Sequence, residues 1–246
     1  MSIQSFFIAL QFLTIFPIRL KTPISDTDIG YSLLYYPLIG LLISLLLITL
    51  IELMHTQAAY VTAVVILIAW VVISGGLHLD GLADSADAWL GGLGSQNKTL
   101  EIMKDPASGP IAVISLVLVL LLKFVMLAVL IQQKEHLAIV WTLILSRSAI
   151  PLLLLTTPYV RSNGLAIVLK EHQPHTQIRR LMLIIAMLTV FFTGLVTLLF
   201  VLTIFLLLRY LMERRLAGFT GDTVGAMVEI LEANLLTFFV LTIGII

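Results

Sequence analysis

Long apolar runs are the feature that most constrains the fold of this chain. Residues 111–132 and 181–212 are almost unbroken hydrophobic sequence, and a helix needs about 20 such residues to cross a bilayer. Only 11% of the 246 residues are charged, against about 25% in soluble domains. The runs are continuous and do not alternate, which excludes a transmembrane β-barrel. The sequence therefore predicts an all-α, polytopic integral membrane helical bundle.

About seven transmembrane helices are predicted, in a single transmembrane catalytic domain of residues 1–246. The predicted spans cover residues 34–54, 57–76, 111–132, 137–157, both halves of 181–212, and 225–246. As one helix, 181–212 would be about 48 Å long, too long for a hydrocarbon core of about 30 Å. The alternatives are one over-long helix and two short spans that turn near Gly194. We prefer two crossings, because they place every large polar segment on one side of the membrane. Residues 3–16 are too short to span and precede Pro17, which predicts an interfacial or re-entrant N-terminal helix.

The basic residues predict how the chain sits in the bilayer. If the loop with Arg19 and Lys21 is cytoplasmic, the polar segments 77–110, 158–180 and 213–223 fall on the same side, as the positive-inside rule requires. We expect a multi-pass protein of the cell (inner) membrane whose active site faces the cytoplasm. A net charge of zero gives no support for nucleic-acid binding. The absence of cysteine excludes disulfides and thiol chemistry, and the oligomeric state, including a homo-oligomer, stays open.

The stretch "GGLHLDGLADSADAW" (75–89) holds three of the seven aspartates. Asp80, Asp84 and Asp87 are spaced i, i+4 and i+7, which places them within about 60° of one helix face. Three carboxylates that close repel one another, and Mg²⁺, which prefers carboxylate oxygen and phosphate, would relieve the repulsion. Gly81 leaves room for a phosphate ester, and His78 is a candidate base or ligand. The alternative is a solvated helix end.

Two further segments supply acidic residues. In "EIMKDPASGP", Glu101 and Asp105 are spaced as neighbours on a helix, with Lys104 beside them for a diphosphate; an ordinary amphipathic loop helix is the alternative. In "GFTGDTVGAMVEI", Asp222 and Glu229 are seven residues apart and share a face. Capping of the last span by Thr220 or Asp222 is the alternative there.

Two cations lie inside predicted spans, Lys123 in "LLKFVML" and Arg147 in "ILSRSAI". An ionisable group near mid-span costs several kcal/mol and is a functional candidate by default. Arginine can donate two parallel hydrogen bonds to one phosphate, and lysine carries a positive charge. Both residues are therefore candidate substrate contacts. The alternative is a structural ion pair inside the bundle.

These segments resemble the signatures of the cobalamin 5′-phosphate synthase family, also called adenosylcobinamide-GDP ribazoletransferases. The similarity covers "GGLHLDGLADSADAW", "EIMKDPASGP", "SRS" and "GFTGDTVGAMVEI", with "FLTIFPI" and "YYPLIGLLI" near the N-terminus. It extends from about residue 10 to residue 230. The resemblance implies a membrane enzyme of nucleotide loop assembly in cobalamin biosynthesis, similar in outline to the CDP-alcohol phosphotransferases. It would join adenosylcobinamide-GDP to α-ribazole or α-ribazole 5′-phosphate and release GMP.

The resemblance also implies roles for the candidate residues. The expected Mg²⁺ ligands are Asp80, Asp84, Asp87, Glu101, Asp105, Asp222 and Glu229. Lys104, Arg147 and Lys123 would neutralise phosphate charge, and Asp87 or Asp222 would be the general base. The alternatives are a CDP-alcohol enzyme and a transporter. "DGLAD" has Asp84 where the CDP-alcohol motif has arginine, which counts against the first alternative. Transporters are often built from repeated halves, and the sequence shows no such repeat, which counts against the second.

Overall fold

The protein is described here from a computed structural model, which covers residues 2–18, 20, 23–161 and 164–242. Within these ranges it is almost entirely helical, with no β-strand and one isolated bridge, between Tyr159 and Phe219. The α-helices are α1 (Ile3–Leu13), α2 (Asp26–Ser32), α3 (Tyr36–Leu53), α4 (Ala59–Ser74), α5 (Leu77–Gly91), α6 (Gln96–Ile102), α7 (Pro110–Gln132), α8 (His136–Thr156), α9 (Leu165–Glu171), α10 (His175–Thr193), α11 (Leu195–Leu216) and α12 (Gly221–Thr242).

The predicted polytopic helical fold is confirmed. Six helices are long and apolar enough to cross a membrane: the continuous segment Asp26–Leu53 and helices α7, α8, α10, α11 and α12. Helices α4 and α5 meet the same criterion together but are bent by 88° at their junction, which allows a seventh crossing. Helix α1 is apolar and has 11 residues, as the N-terminal sequence predicts.

The first spanning helix starts earlier than predicted. The first span was expected to begin at residue 34, but helix α2 begins at Asp26 and continues through a 3₁₀ turn (Leu33–Tyr35) into α3. The side chain of Ser25 accepts a hydrogen bond from the backbone N–H of Asp28 at 3.1 Å, and the acidic first turn suits the helix N-terminus. Arg19 and Lys21, on which the orientation argument partly rests, lie outside the described residues.

Residues 181–212 fall in two helices, as the double-crossing interpretation predicts. Helices α10 and α11 are separated only by Gly194, whose φ of 86° is in a region that favours glycine. They pack side by side. Met182 of α10 and Val201 of α11 both pack against the apolar cluster that contains Leu145 and Leu235. A single helix of that length would have extended beyond the bilayer.

The polar segment 77–110 is folded rather than a loop. Helix α4 ends at Gly75 and Gly76, whose φ angles of 66° and 70° turn the chain sharply into α5. Helix α5 then packs against α12 and α7. This turn brings the aspartates of α5 against the start of the last span.

The interior of the bundle is built from α8 and α12. In their apolar windows 78% and 67% of the residues are buried, against 17% in α7, α10 and α11. Helix α8 also packs closely on α3. The outer helices therefore face lipid, whereas α8 and α12 carry the polar groups that need protein partners.

Candidate active site

Two glycines set the close crossing of α5 and α12. A Cβ added at Gly81 would lie 2.6 Å from the carbonyl oxygen of Asp222, and one added at Gly225 would lie 3.1 Å from His78. A larger residue at Gly81 would force the helices apart, and one at Gly225 would crowd His78. Gly81 was predicted to make room for a substrate phosphate. It borders the cavity described below, but its missing side chain also makes room for the backbone of α12, and so brings Asp222 to the aspartates of α5.

The three aspartates of "DGLADSAD" lie on one helix, α5, as predicted. Asp84 is half-buried, and the carboxylates of Asp80, Asp222 and Asp87 all act on it electrostatically with the same sign of charge. Arg161 is the positive group that acts on it. The fold therefore joins acids from two distant segments into one negatively charged cluster.

Arg161 is a site residue that sequence reasoning did not single out. Its Nη2 donates to Oδ2 of Asp222 at 2.6 Å. Two backbone hydrogen bonds hold its loop against the chain before α12: Val160 donates to Phe219 at 3.0 Å, and Phe219 donates to Pro158 at 2.9 Å. The only signal in the sequence was a basic residue in a loop after a span, which is a common feature.

Asp222 is not needed to cap α12. The side chains of Thr220 and Thr223 accept hydrogen bonds from each other's backbone N–H groups, at 3.2 and 2.9 Å. Of the two residues predicted as possible caps, Thr220 and Asp222, it is therefore Thr220 that caps α12. The carboxylate of Asp222 remains available to Arg161 and the cavity.

A cavity of about 370 Å³ opens beside this cluster. Its polar lining comes from His78, Asp80, Tyr159, Arg161 and Asp222. The apolar lining includes Phe12, Leu77, Ile150, Leu154, Leu165, Leu169 and Val224. Helices α1, α5, α8, α9 and α12 all contribute. A cavity with one charged and one apolar wall suits a ligand with a phosphate or sugar at one end and an apolar ring at the other.

The surroundings of Tyr159, which lines the cavity, and of Lys170, on the neighbouring helix α9, change the properties of both groups. Burial raises the pKa of the Tyr159 phenol, opposed by the nearby positive charge of Arg161. Lys170, on α9, donates to the carbonyl oxygens of Leu154 and Thr157 at 2.7 and 2.6 Å. Burial lowers the pKa of Lys170. These bonds tie α9, one wall of the cavity, to the end of α8.

Asp87 has a structural partner. Both of its carboxylate oxygens accept backbone N–H groups at the start of α7, from Gly109 and from Ala112. It thus caps α7 across the gap between two helices. Asp87 remains near Asp84 but, unlike Asp80 and Asp222, it does not line the cavity.

Glu101, Lys104 and Asp105 lie apart from the cavity. Helix α6 ends at Ile102, so the predicted i, i+4 pairing of the two acids on one helix is wrong. Met103 begins a turn, and Asp105 accepts the N–H of Ala107 at 3.0 Å. Glu101, Lys104 and Asp105 are exposed and border a shallow cleft.

Glu229 joins a buried ion network instead of the aspartates. Lys123 Nζ contacts Glu229 and Glu232, and Arg147 Nη1 contacts Glu232, with all four side chains at most 5% exposed. Opposite charges in the membrane interior stabilise one another. The geometry therefore favours the structural ion-pair alternative for Lys123 and Arg147. Glu232 was missed, although a second acid three residues after Glu229 in an apolar span was visible.

The predicted metal ligands are not arranged around a common point. No group of three or more His, Cys, Asp or Glu side chains in the described part of the chain has the geometry of a metal site. Asp80, Asp84 and Asp222 are the candidates that the fold brings together, whereas Glu101, Asp105 and Glu229 are elsewhere. His78 is 4% exposed, lines the cavity, and its Nδ1 has no hydrogen-bond partner among the described residues.

The fold and this cavity define an integral membrane protein with an acidic site at one end of its helical bundle. The family model for cobalamin-5-phosphate synthase matches residues 5–240, and the chain belongs to this family. An adenosylcobinamide-GDP ribazoletransferase of Pseudomonas putida GB-1 is 51% identical over 92% of this chain and 94% of its own. One of Pseudomonas savastanoi pv. phaseolicola is 48% identical over 96% and 99%. No solved structure matches.

Proposed function

We propose that this chain is a magnesium-dependent adenosylcobinamide-GDP ribazoletransferase. It transfers the adenosylcobinamide phosphate of adenosylcobinamide-GDP to α-ribazole or its 5′-phosphate, forming adenosylcobalamin or its 5′-phosphate. A ribose hydroxyl oxygen bonds to the phosphorus that carries the cobinamide, and the bond to the bridging oxygen breaks, so that GMP leaves. One observation carries this proposal: Asp80 and Asp222 line one cavity and act electrostatically on the neighbouring Asp84, in a chain about half identical to relatives with that enzyme name.

The cavity suits α-ribazole better than the much larger corrinoid. Its volume of about 370 Å³ is at the lower end of the range of about 300–1,000 Å³ for small-molecule sites. The apolar wall, with Ile150, Leu154 and Leu169, would hold the planar aromatic base. The ribose would then point towards Asp80 and Asp222, and the corrin ring would stay outside the cavity.

The residues fit Mg²⁺ by their chemistry. Carboxylate oxygens are its preferred protein ligands, and Asp84 has three like-charged neighbours whose repulsion a cation would reduce. Asp80, Asp84 and Asp222 would hold the ion. When bound, Mg²⁺ supplies positive charge to the diphosphate and polarises the reacting phosphorus.

The chain's own groups orient the substrates and move the proton. The Nε of Arg161 has no partner among the described residues, so it can donate to a phosphate oxygen while Nη2 holds Asp222. Asp222 lines the cavity and is our choice as general base for the ribose hydroxyl proton. Asp87 is the weaker choice, because both its oxygens already accept backbone N–H groups.

We also propose that the cavity opens to the cytoplasm, in the cell (inner) membrane. At the end of the bundle that holds the cavity are the described residues Lys98, Lys104, Arg161, Lys170, Arg179, Arg180, Arg209, Arg214 and Arg215. Lys134 lies at the opposite end, and this bias supports a cytoplasmic cavity. The chain has no cysteine, so the single-cysteine variants Glu101→Cys and Thr56→Cys can each be tested for labelling by an impermeant maleimide in intact cells. Labelling of Thr56→Cys alone is expected; labelling of Glu101→Cys alone would reverse the orientation.

The activity is tested with purified protein in lipid nanodiscs. With adenosylcobinamide-GDP, α-ribazole and Mg²⁺ we expect GMP and adenosylcobalamin in equal amounts, and neither product without α-ribazole. Chelation by EDTA should stop the reaction and added Mg²⁺ should restore it. Failure of the complete mixture to release GMP would refute the transferase; turnover that survives EDTA would refute only the magnesium requirement.

A further inference from the structure

A second cavity, of about 400 Å³, lies between α8, α10, α11 and α12. Its walls are almost wholly apolar and include Leu152, Met182, Ala186, Leu202, Phe205 and Leu231. None of its lining residues belongs to the acidic cavity. The proposed reaction gives this space no role.

The surroundings of this cavity favour an apolar occupant. An apolar cavity does not attract water, and empty space would cost its walls their van der Waals contacts. Leu183 lines the cavity and is 66% exposed, so the cavity opens onto the outer face of α10. In a spanning helix that face meets lipid, which places acyl chains directly at the opening.

The length of the cavity and its one charged residue indicate how such a lipid would lie. Along α10 the lining runs from Arg179 to Thr189, ten residues and therefore about 15 Å. This is half of a hydrocarbon core of about 30 Å, the depth of one leaflet. Arg179 is exposed and forms no ion pair with any described residue. It stands at the end of the cavity nearest the acidic site.

We propose that this cavity binds one acyl chain of an anionic phospholipid, whose phosphate pairs with Arg179. The lipid belongs to the same leaflet as the mouth of the acidic cavity. The apolar walls would take any acyl chain, whereas the unpaired arginine selects a headgroup with net negative charge. This site stands whether or not the proposed transferase reaction is correct.

The test is native mass spectrometry of the whole protein, washed in detergent and supplied with equal phosphatidylglycerol and phosphatidylethanolamine. We expect about one bound lipid per chain, with phosphatidylglycerol preferred about fivefold, as one basic residue near the surface provides. Arg179→Gln should remove the preference. Arg180→Gln, which makes the same charge change beside the cavity, should keep it. A preference unchanged in Arg179→Gln would overturn the assignment of the headgroup.

Filling the cavity provides the second arm. Ala186→Phe and Leu202→Trp place bulk in it from α10 and α11, and each should reduce the bound lipid at least fivefold. Ile184→Phe adds the same ring as Ala186→Phe on the exposed face of α10, outside the lining, and should retain it. Thermal unfolding confirms which variants are folded. Equal lipid in folded Leu202→Trp, Ile184→Phe and wild-type protein would refute the site.

Discussion

Arg161 and Asp222 form an ion pair at 2.6 Å between residues 61 positions apart, one in the loop after α8 and one in the first turn of α12. The pair depends on the backbone bonds that hold the Tyr159–Phe219 bridge together. It places a guanidinium among the carboxylates of the acidic cavity. Several consequences of this arrangement can be measured.

Replacing Arg161 by Gln should impair turnover more than folding. The guanidinium is expected to stabilise charge on the diphosphate, and loss of one such donor costs about 10²–10³ in kcat in other enzymes. GMP release measures kcat, and thermal unfolding measures stability. Lys134→Gln, at the opposite end of the bundle, is the control and should behave as wild type. Normal kcat in Arg161→Gln would remove Arg161 from the mechanism.

Adding one methyl group at Gly81 should damage the site. The new Cβ would lie 2.6 Å from the backbone of Asp222, so α12 must shift away from α5. A displacement of about 1 Å costs on the order of 10² in rate. Gly91→Ala, on the same helix and outside the cavity, is the matched control, since a Cβ there meets only the flexible end of the Ile102 side chain, at 2.8 Å. Similar kcat values for the two alanine variants would show that the close helix crossing is not needed.

The buried ion network should stabilise the fold only when its charges balance. Lys123→Met leaves two glutamates facing one arginine, and removal of one partner from a buried pair costs about 3–5 kcal/mol. The double variant Lys123→Met/Glu229→Gln restores neutrality with Glu232 and Arg147, and should recover most of that loss. Chemical unfolding in detergent measures both. A double variant less stable than Lys123→Met would contradict the charge-balance account.

Asp87 should tolerate replacement better than Asp84. Its carboxylate caps α7, so Asp87→Ala is expected to reduce the free energy of unfolding by about 1 kcal/mol and to keep most of the turnover. Asp84→Asn should lose turnover with little change in stability, and high Mg²⁺ should restore part of it if Asp84 is a ligand. The reverse ranking of turnover would exchange the roles of the two aspartates.

Much of the fold was predictable because the bilayer allows few solutions. Apolar runs of about 20 residues must be helices. The length of 181–212 and the positive-inside rule together favoured the turn at Gly194 that the structure contains. The early start at Asp26 was missed, because the prediction rested on polarity and did not consider Ser25 as a helix cap. The end of α6 at Ile102 was missed for a similar reason: helical spacing was extended past a turn.

The candidate site was predictable only in part. Helical periodicity placed Asp80, Asp84 and Asp87 together, because it acts within one element. Arg161 joins them through a loop contact that no local pattern encodes. The same periodicity predicted a shared face for Asp222 and Glu229, but Glu229 is buried with Glu232, Lys123 and Arg147.

The central claim is that aspartates from α5 and α12 act as one site, and a double-variant cycle tests it most directly. GMP release is measured for Asp84→Asn, Asp222→Asn and the double variant at saturating substrates and Mg²⁺. Residues that work as a unit lose activity non-additively, so the double variant should be about as slow as the slower single one. A double variant slowed by the product of the two single losses would show that Asp84 and Asp222 act independently, and would contradict a shared site.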